Sequence, residues 1–384
     1  MLLQALHLPR IGRVNRSCLI LLLVLAIFFA STFTSEEDMV DKIYREPQKI
    51  SVLFNERKLS CFGRYAFYIP KISQIVWGAT SFPSRISVIS SSRSTMEQLV
   101  LEDVARIRRA NDTAEVIFSG PGRDGLGWRL DYYEDKYAKR DGALYSRSYI
   151  ELGNNIFLLS AAKAKSESEV LFLERQFRRA KSIVLADHDI HADPGFCVEH
   201  GFIRQNTYDH QEIVAIGLHL PSYPDVKFSI TSNKDAYADY SPEEFDGRIR
   251  EELSLLSRIK HAKDEQGSNY PARVVLREGP RNVNHWKGEE SLIRRADGTH
   301  DFEWAYVGRP GDVAYPPEFS VQMFTKVANN MIGAAEKASL TDDEAVALWD
   351  KLLSSLKFRV KVPGAPEGSY YFLPGEKTDR GAKP

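Results

Sequence analysis

The feature that most constrains the fold is an order of predicted elements that occurs twice along the chain. In each half, strand-like segments precede a capped amphipathic helix, and further strands precede a second helix. Each half begins with a strand that carries a cysteine, Cys61 in the first half and Cys197 in the second. Since a domain typically contains roughly 150 residues, a chain of this length can also form two domains. The sequence therefore predicts one plan of elements used twice.

The four long helices are predicted from their capping boxes. In such a box a Ser or Thr side chain accepts a backbone N–H, and a Glu three residues later bonds back to the cap. Apolar residues at helical spacing follow each box; in the second helix they are Val170, Leu173, Phe177 and Ala180. The cap pairs are Ser94 with Glu97, Ser166 with Glu169, Ser241 with Glu244, and Thr341 with Glu344.

The strand-like segments between these helices are mostly consecutive and separated by hairpin signals. One of them, CFGRYAFYIP at 61–70, reads as a single aromatic strand that Pro70 ends. Consecutive strands favour antiparallel sheets with helices on one face, so the predicted fold class is α+β with two such domains in tandem. The predicted boundaries are a tether at 36–57, domains at 58–190 and 191–362, and a flexible tail at 363–384.

The N-terminus carries the strongest regional signal. Arg10, Arg13 and Arg16 precede a stretch at 17–35 that has no charged residue. This length approaches the roughly 20 residues that cross a bilayer, and the basic side would remain in the cytoplasm. Residues 1–35 therefore form either an inner-membrane anchor or a cleaved signal peptide. Both alternatives predict export of the remaining chain.

Export changes what the cysteines indicate. Cys18 lies in the apolar stretch, which leaves Cys61 and Cys197 for the exported part. In an oxidising compartment such a pair can persist as a disulfide. The alternative is two buried thiols.

Composition and motifs argue against several classes of function. The 51 Lys and Arg residues nearly balance the 52 Asp and Glu residues, which gives no support to a nucleic-acid partner. GPGRDG at 120–125 matches a dinucleotide fingerprint, but strand-like residues follow it where that fingerprint needs a helix. We therefore interpret it as a hairpin loop. The chain contains no G-x-S-x-G elbow.

A short acidic and histidine-rich run at 187–193 is the one candidate for a metal site. Asp187, His188, Asp189, His191 and Asp193 offer carboxylate and imidazole ligands. The run follows a predicted helix, where polar linkers are common, so we expect a linker and neither a metal nor a cofactor.

Three phrases together resemble one family. They are CFGRYAFYIP at 61–70, GFCVEHGFI at 195–203 and EAVALWDKLLSSLKFRV at 344–360. They are similar to the segments that open the N-terminal domain, open the C-terminal domain and form the closing helix of immunity proteins against type VI secretion lipase effectors. The resemblance covers about residues 58–362, with the middle matched by element order.

The resemblance implies a periplasmic inhibitor without catalysis. Its two domains would form a clamp that binds a cognate phospholipase or lipase effector and covers its active site or lid. A Cys61–Cys197 bond would join the two halves of the clamp. We expect the contact site in the cleft between the domains, with candidates that include large aromatic and Arg side chains. These candidates are Arg123, Trp128, Trp286, Arg309 and Tyr315.

Two other functions stay open at this point. One is a membrane-anchored periplasmic hydrolase without a recognisable motif, and the other is an adaptor protein of the cell envelope. The absence of a supported catalytic constellation favours an inhibitor or an adaptor, and the resemblance favours the inhibitor.

Overall fold

Twelve strands form one antiparallel sheet that runs through both halves of the chain. The structure is a computed structural model that describes residues 47–91, 94–186, 190–325 and 338–376. The described residues constitute one compact unit, and the predicted anchor or signal segment lies outside them. Among the residues described, none of the helices has the length and apolar character needed to cross a membrane.

The strands are numbered in the order in which they occur along the chain. They are β1 (Arg57–Phe62), β2 (Tyr65–Pro70), β3 (Gln74–Phe82), β4 (Ser84–Ser90), β5 (Glu115–Pro121), β6 (Trp128–Tyr133), β7 (Tyr145–Leu152), β8 (Asn155–Ala162), β9 (Ile183–Leu185), β10 (Phe196–Val198), β11 (Gly201–Ile203), β12 (Ile213–His219), β13 (Lys227–Asn233), β14 (Arg273–Val283), β15 (Trp286–Arg295), β16 (His300–Tyr306), β17 (Glu318–Phe324), β18 (Lys357–Val360) and β19 (Tyr370–Phe372).

The helices precede, connect or follow groups of strands. They are α1 (Gln48–Leu53), α2 (Met96–Ala110), α3 (Lys136–Arg140), α4 (Glu169–Ser182), α5 (Pro242–Glu244), α6 (Arg250–Leu253), α7 (Leu255–Gln266) and α8 (Asp342–Ser354). A π-helical turn, Phe245–Ile249, joins α5 to α6.

The large sheet has the same strand order in both halves. The first half runs β3-β4-β8-β7-β6-β5, and the second half runs β12-β13-β17-β16-β15-β14. The halves meet where β3 pairs antiparallel with β12. The repeat predicted from the element order is therefore confirmed, as is the α+β class with mostly antiparallel sheets.

Each half also closes a small sheet of the other half. β18, near the end of the second half, pairs with β2 of the first half. β9, at the end of the first half, pairs with β11 of the second half. The two halves therefore exchange their closing strands.

The opening hairpins correct one prediction from the sequence. The aromatic phrase at 61–70 is not one strand, because the chain turns at Gly63 and Arg64 and returns as β2. Gly63 has a φ of 52°, which a side chain disfavours, so glycine suits this turn. β10 and β11 form the corresponding hairpin.

Helix boundaries were predicted more accurately in the second half. The capping box of Thr341 and Glu344 is confirmed, and Ser241 accepts from the backbone N–H of Glu244. In the first half the caps were wrong. Thr95 with Gln98 forms the box of α2, and Ser168 caps α4.

The end of the chain also differs from the prediction. The closing helix α8 stops at Ser354, and the phrase that follows it forms strand β18. Residues 363–376, predicted to be flexible, include β19, which pairs parallel with β18.

The buried apolar residues in the described part of the chain form two clusters. In the first half, α2 packs on one face of the sheet, where Val100 and Ile107 join Tyr149 and Ile156. Ile150 and Phe157, the next residues on the same strands, face the opposite side and belong to the larger cluster with Ala180 of α4. Helices therefore cover both faces of this half.

Candidate protein-binding site

A buried arginine ties the two halves together. Arg64, in the turn between β1 and β2, is 3% exposed, and its Nη2 lies 2.7 Å from Oε1 of Glu212, at the start of the second half's sheet. The same guanidinium donates to the backbone carbonyls of Gly195 at 3.1 Å, Gln205 at 3.3 Å and Thr207 at 3.0 Å. Since a buried charge is tolerated only when paired and hydrogen-bonded, this arrangement fixes the connecting segments around the second hairpin.

A second buried arginine supports the same segment from the other end of the chain. Arg359 of β18 donates to the carbonyls of His191 and Gly195, and its guanidinium lies 4.7 Å from the ring centre of Phe202. Burial lowers the pKa of Arg359 to about 9. The exchanged strand β18 thus brings a cation to the start of the second half.

The structure places Cys61 and Cys197 as a disulfide at this junction. Their Cα atoms are 6.0 Å apart, although the residues are separated by 136 positions in sequence. Backbone hydrogen bonds join the same segments, because Gly63 and Cys197 each donate an N–H to the other's carbonyl. Whether the pair is oxidised in the cell stays a prediction.

The candidates from the first half lie at the β5–β6 loop and at the start of β6. Arg123 is exposed, its Nη1 lies 2.6 Å from Oε2 of Glu174 on α4, and its guanidinium lies 4.8 Å from the ring centre of Phe177. Trp128 is partly buried, and its Nε1 donates to Oγ of Ser119 at 3.1 Å. Because β6 follows the GPGRDG loop, its interpretation as a hairpin loop is confirmed.

One candidate from the second half is not a surface residue. Trp286 is 0% exposed, and its Nε1 donates to the carbonyl of Ala314 at 2.9 Å. Its ring packs on Tyr65 and Phe358, so it joins the core across both halves. A partner has no access to this side chain, and its predicted contact role is therefore wrong.

The other two candidates lie on the loop between β16 and β17. Arg309 is exposed, with its Nη2 3.3 Å from Oδ2 of Asp246. Tyr315 is partly buried, and its ring meets that of His285 edge-on with centroids 5.2 Å apart. Burial lowers the pKa of His285, although a hydrogen bond with the Ala314 carbonyl partly opposes this.

These candidates do not form a single patch. Strand direction alternates through the twelve antiparallel strands, so the β5–β6 loop and the β16–β17 loop lie at opposite ends of the strands. Arg123 and Trp128 are therefore separated from Arg309 and Tyr315. The cleft that we expected all five residues to line is not built by them.

Sequence reasoning also missed an exposed apolar surface on α4. Of the predicted apolar stripe, Ala180 is buried, and Leu173 and Phe177 are partly buried. Val170 of the stripe is 77% exposed, and Leu171, which lies outside the stripe, is 61% exposed. The buried positions include the polar residues Gln176 and Arg179. Periodicity could not have found this surface, because it assigns the apolar side of a helix to the core.

No cluster of metal-ligating side chains occurs in the described ranges. Asp187, His188 and Asp189 of the acidic run lie outside these ranges. A cavity of about 530 Å³ lies beside α2 and is lined by Ser87, Ile89, Leu99, Glu102, Asp103, Arg106, Arg109, Tyr149 and Leu158. This lining contains no histidine or cysteine that could activate a nucleophile.

The second half of the chain matches a known family. Residues 189–361 match the model of the Tle cognate immunity protein 4 C-terminal domain. These residues are therefore similar to that family. The resemblance seen in the sequence phrases is therefore confirmed for this part of the chain. Comparison with curated proteins finds no matching sequence.

Solved structures extend the likeness to the first half. The apo immunity protein TplEi of the T6SS from Pseudomonas aeruginosa is 18% identical, with a TM-score of 0.60, over 79% of this chain and 97% of that chain. A chain of the Tle4–Tli4 complex is 19% identical, with a TM-score of 0.58, over 79% of this chain and 97% of its own length. At this identity the comparison establishes the fold, and it covers nearly the whole length of these two chains.

Proposed function

We propose that this protein is an immunity protein that binds a T6SS lipase effector in the periplasm and inhibits it. The observation that carries the proposal is the family match at 189–361, on a chain whose fold agrees with T6SS immunity proteins along nearly their whole length. One of these related structures is a Tle4–Tli4 complex, in which an immunity protein is bound to its effector. The same role for this chain requires binding without chemistry.

The direct test is protection of cells. Co-expression in the periplasm with the cognate lipase effector should restore growth, and the two proteins should co-purify in a stable complex. Growth arrest despite full expression of both proteins, together with no complex, would refute the immunity role.

The alternative of a periplasmic hydrolase predicts a different result. The purified chain should show no esterase, phospholipase or phosphatase turnover. Turnover that disappears when one Ser, Cys or His is substituted would favour the hydrolase.

We also propose that both halves contact the effector, as a clamp would. The exposed Arg309, on the long β16–β17 loop, supports this for the second half. Arg309→Glu should weaken binding at least tenfold, because charge reversal at a buried interface arginine leaves an unpaired charge. Arg258→Glu is a control of the same chemistry, since Arg258 is also exposed and paired with a carboxylate, Glu303.

Residues 1–35 would place the inhibitor where the effector arrives. Their charge pattern supports either anchoring in the inner membrane or cleavage after export. Fractionation distinguishes the two outcomes, because an anchored chain stays in the membrane pellet at full mass and a cleaved chain is recovered in the periplasm at lower mass. Recovery from the cytoplasm alone would contradict both.

A further inference from the structure

The repeated fold allows each residue of α4 to be compared with its counterpart on α8. Ser168 caps α4 and Thr341 caps α8, and the strands that follow the two helices pair with equivalent strands. Counting from the caps, Phe177 on α4 corresponds to Asp350 on α8. The two helices therefore offer an internal comparison within one chain.

In the second half, ion pairs fill the space between helix α8 and the edge strand β14. Oδ1 of Asp350 lies 2.6 Å from Nη2 of Arg277 and 2.9 Å from Nη2 of Arg281, both on β14. Arg277 also pairs with Glu290 of β15, which accepts from Nε1 of Trp349 at 3.2 Å. Helix α8 is thus sealed onto its edge strand by a network of ion pairs.

In the first half the equivalent positions carry different side chains. β5 and β14 each have an irregular register near their start, at Val116/Phe118 and at Val275/Arg277, which makes Phe118 the counterpart of Arg277. By the same pairing, Arg129 corresponds to Glu290. The network of the second half is replaced here by aromatic rings and an arginine.

These side chains contact each other in two pairs, one between β5 and β6 and one between the β5–β6 loop and α4. Arg129 lies 4.2 Å from the ring centre of Phe118, and Arg123 lies 4.8 Å from that of Phe177. The β5–β6 loop lies against the helix, since Nη1 of Arg123 lies 2.6 Å from Oε2 of Glu174 on α4. We define the α4–β5 groove as Phe118, Arg123, Arg129, Val170 and Phe177.

The groove is not explained by packing of α4 itself. α4 and α8 bury equivalent positions, but α4 places Gln176 and Arg179 inside where α8 places Trp349 and Leu352. Val170, with 77% of its surface exposed, stands outside where α8 carries Asp343. An apolar residue outside and polar residues inside cost stability, which a partner that covers the outer face would offset.

We propose that the α4–β5 groove binds an apolar segment of the effector that carries a carboxylate. The partner's carboxylate would take the place that Asp350 fills in the second half, beside Arg123 and Arg129. In the free chain these two arginines pair with Glu174 and Asp131. Exposed Arg178 and Lys181 on α4 add positive charge at the rim, and buried Arg and aromatic side chains are typical of interface hot spots. This inference rests on the proposed immunity function and assigns a surface to it.

Three variants of the full chain test the groove against the co-purified effector. Val170→Asp and Arg123→Glu change exposed side chains, and Phe177→Asp supplies within the chain the carboxylate found at Asp350. Each should weaken binding at least tenfold with little change in the thermal unfolding temperature. Arg258→Glu, an exposed ion-paired arginine in the second half, should bind like wild type.

The outcomes separate this proposal from the immunity function. If wild type and all three groove variants bind the effector equally, the groove is refuted and the immunity function stands. If wild type binds no effector, the function fails first. Sedimentation with phosphatidylglycerol vesicles tests a membrane as the occupant. Variants that lose vesicle binding but keep effector binding would overturn the proposal.

Discussion

Cys61 and Cys197 occupy the same position in the two opening hairpins and are joined to each other in the structure. Each is the second-last residue of its strand before the turn. The bond thus connects one position of the repeated plan to its own copy. It closes a loop of 136 positions and lies beside the backbone pairing of Gly63 with Cys197.

We predict that the exported protein contains this bond. Mass spectrometry of a non-reduced periplasmic sample should find the peptides of Cys61 and Cys197 linked. Loss of the bond in Cys61→Ala should lower the free energy of unfolding by about 2–5 kcal/mol, since the crosslink restricts the unfolded chain. Cys18→Ala should have no such effect, and two free thiols in wild type would contradict the prediction.

The ion pair of Arg64 with Glu212 should be essential for folding. Arg64→Ala leaves the Glu212 carboxylate buried without its partner, so we expect a loss of about 3–5 kcal/mol in urea unfolding. Lys71→Ala is the matched control, because the Lys71–Glu56 pair has 66% and 73% exposed side chains. Its loss should stay below about 1 kcal/mol. Equal effects of the two substitutions would contradict this.

Trp286 should affect folding directly and binding only through folding. Trp286→Ala removes a side chain with 0% exposure and the donor to the Ala314 carbonyl. We expect a loss of about 3–5 kcal/mol in the free energy of unfolding. A variant that unfolds like wild type but no longer binds the effector would restore Trp286 as a contact residue.

Stability should decrease below neutral pH, in part through His285. Burial holds the pKa of His285 below 6.5, so the unfolded chain binds a proton that the folded chain does not. The cost is absent above pH 6.5, grows as the pH falls below this value and levels off below the folded pKa. His285→Gln should reduce the loss of stability between about pH 7.5 and about pH 5.5, measured by urea unfolding.

His210 contributes to the same pH dependence. Burial lowers its pKa too, so it changes stability in the same direction. The single variant should keep part of the pH dependence, and adding His210→Gln should reduce it further. An unchanged pH dependence in the double variant would contradict the assignment.

The repeat and most strands could be predicted from the sequence because they depend on local patterns. Alternating apolar residues and capping side chains act within a few positions, and α8 begins where its capping box predicts. Strand β3, QIVWGATSF, was missed although it joins the two halves. Its branched and aromatic residues, Ile75, Val76, Trp77 and Phe82, were the signal.

The candidate surface could be predicted less well, because it depends on contacts between distant segments. Whether Trp286 lies inside or outside is decided by Tyr65 and Phe358, which no local pattern relates to it. The outer face of α4 was assigned to the core by the same reasoning that correctly assigned α8. The two helices differ in the side chain that faces each of them from the edge strand of its half.

The exchange of closing strands sets an order of events during synthesis. β2 is made near the start of the chain, but its partner β18 follows only after about 290 further residues. The partner of β11 is β9, which has already been synthesised when β11 appears. The second half can therefore complete its small sheet before the first half can. Contacts this distant in sequence slow folding and keep edges unpaired in the meantime. A chain whose synthesis stops before β18 would expose Tyr65 and Phe67. Its first half would then be incompletely folded when the quality control of the export pathway acts on it.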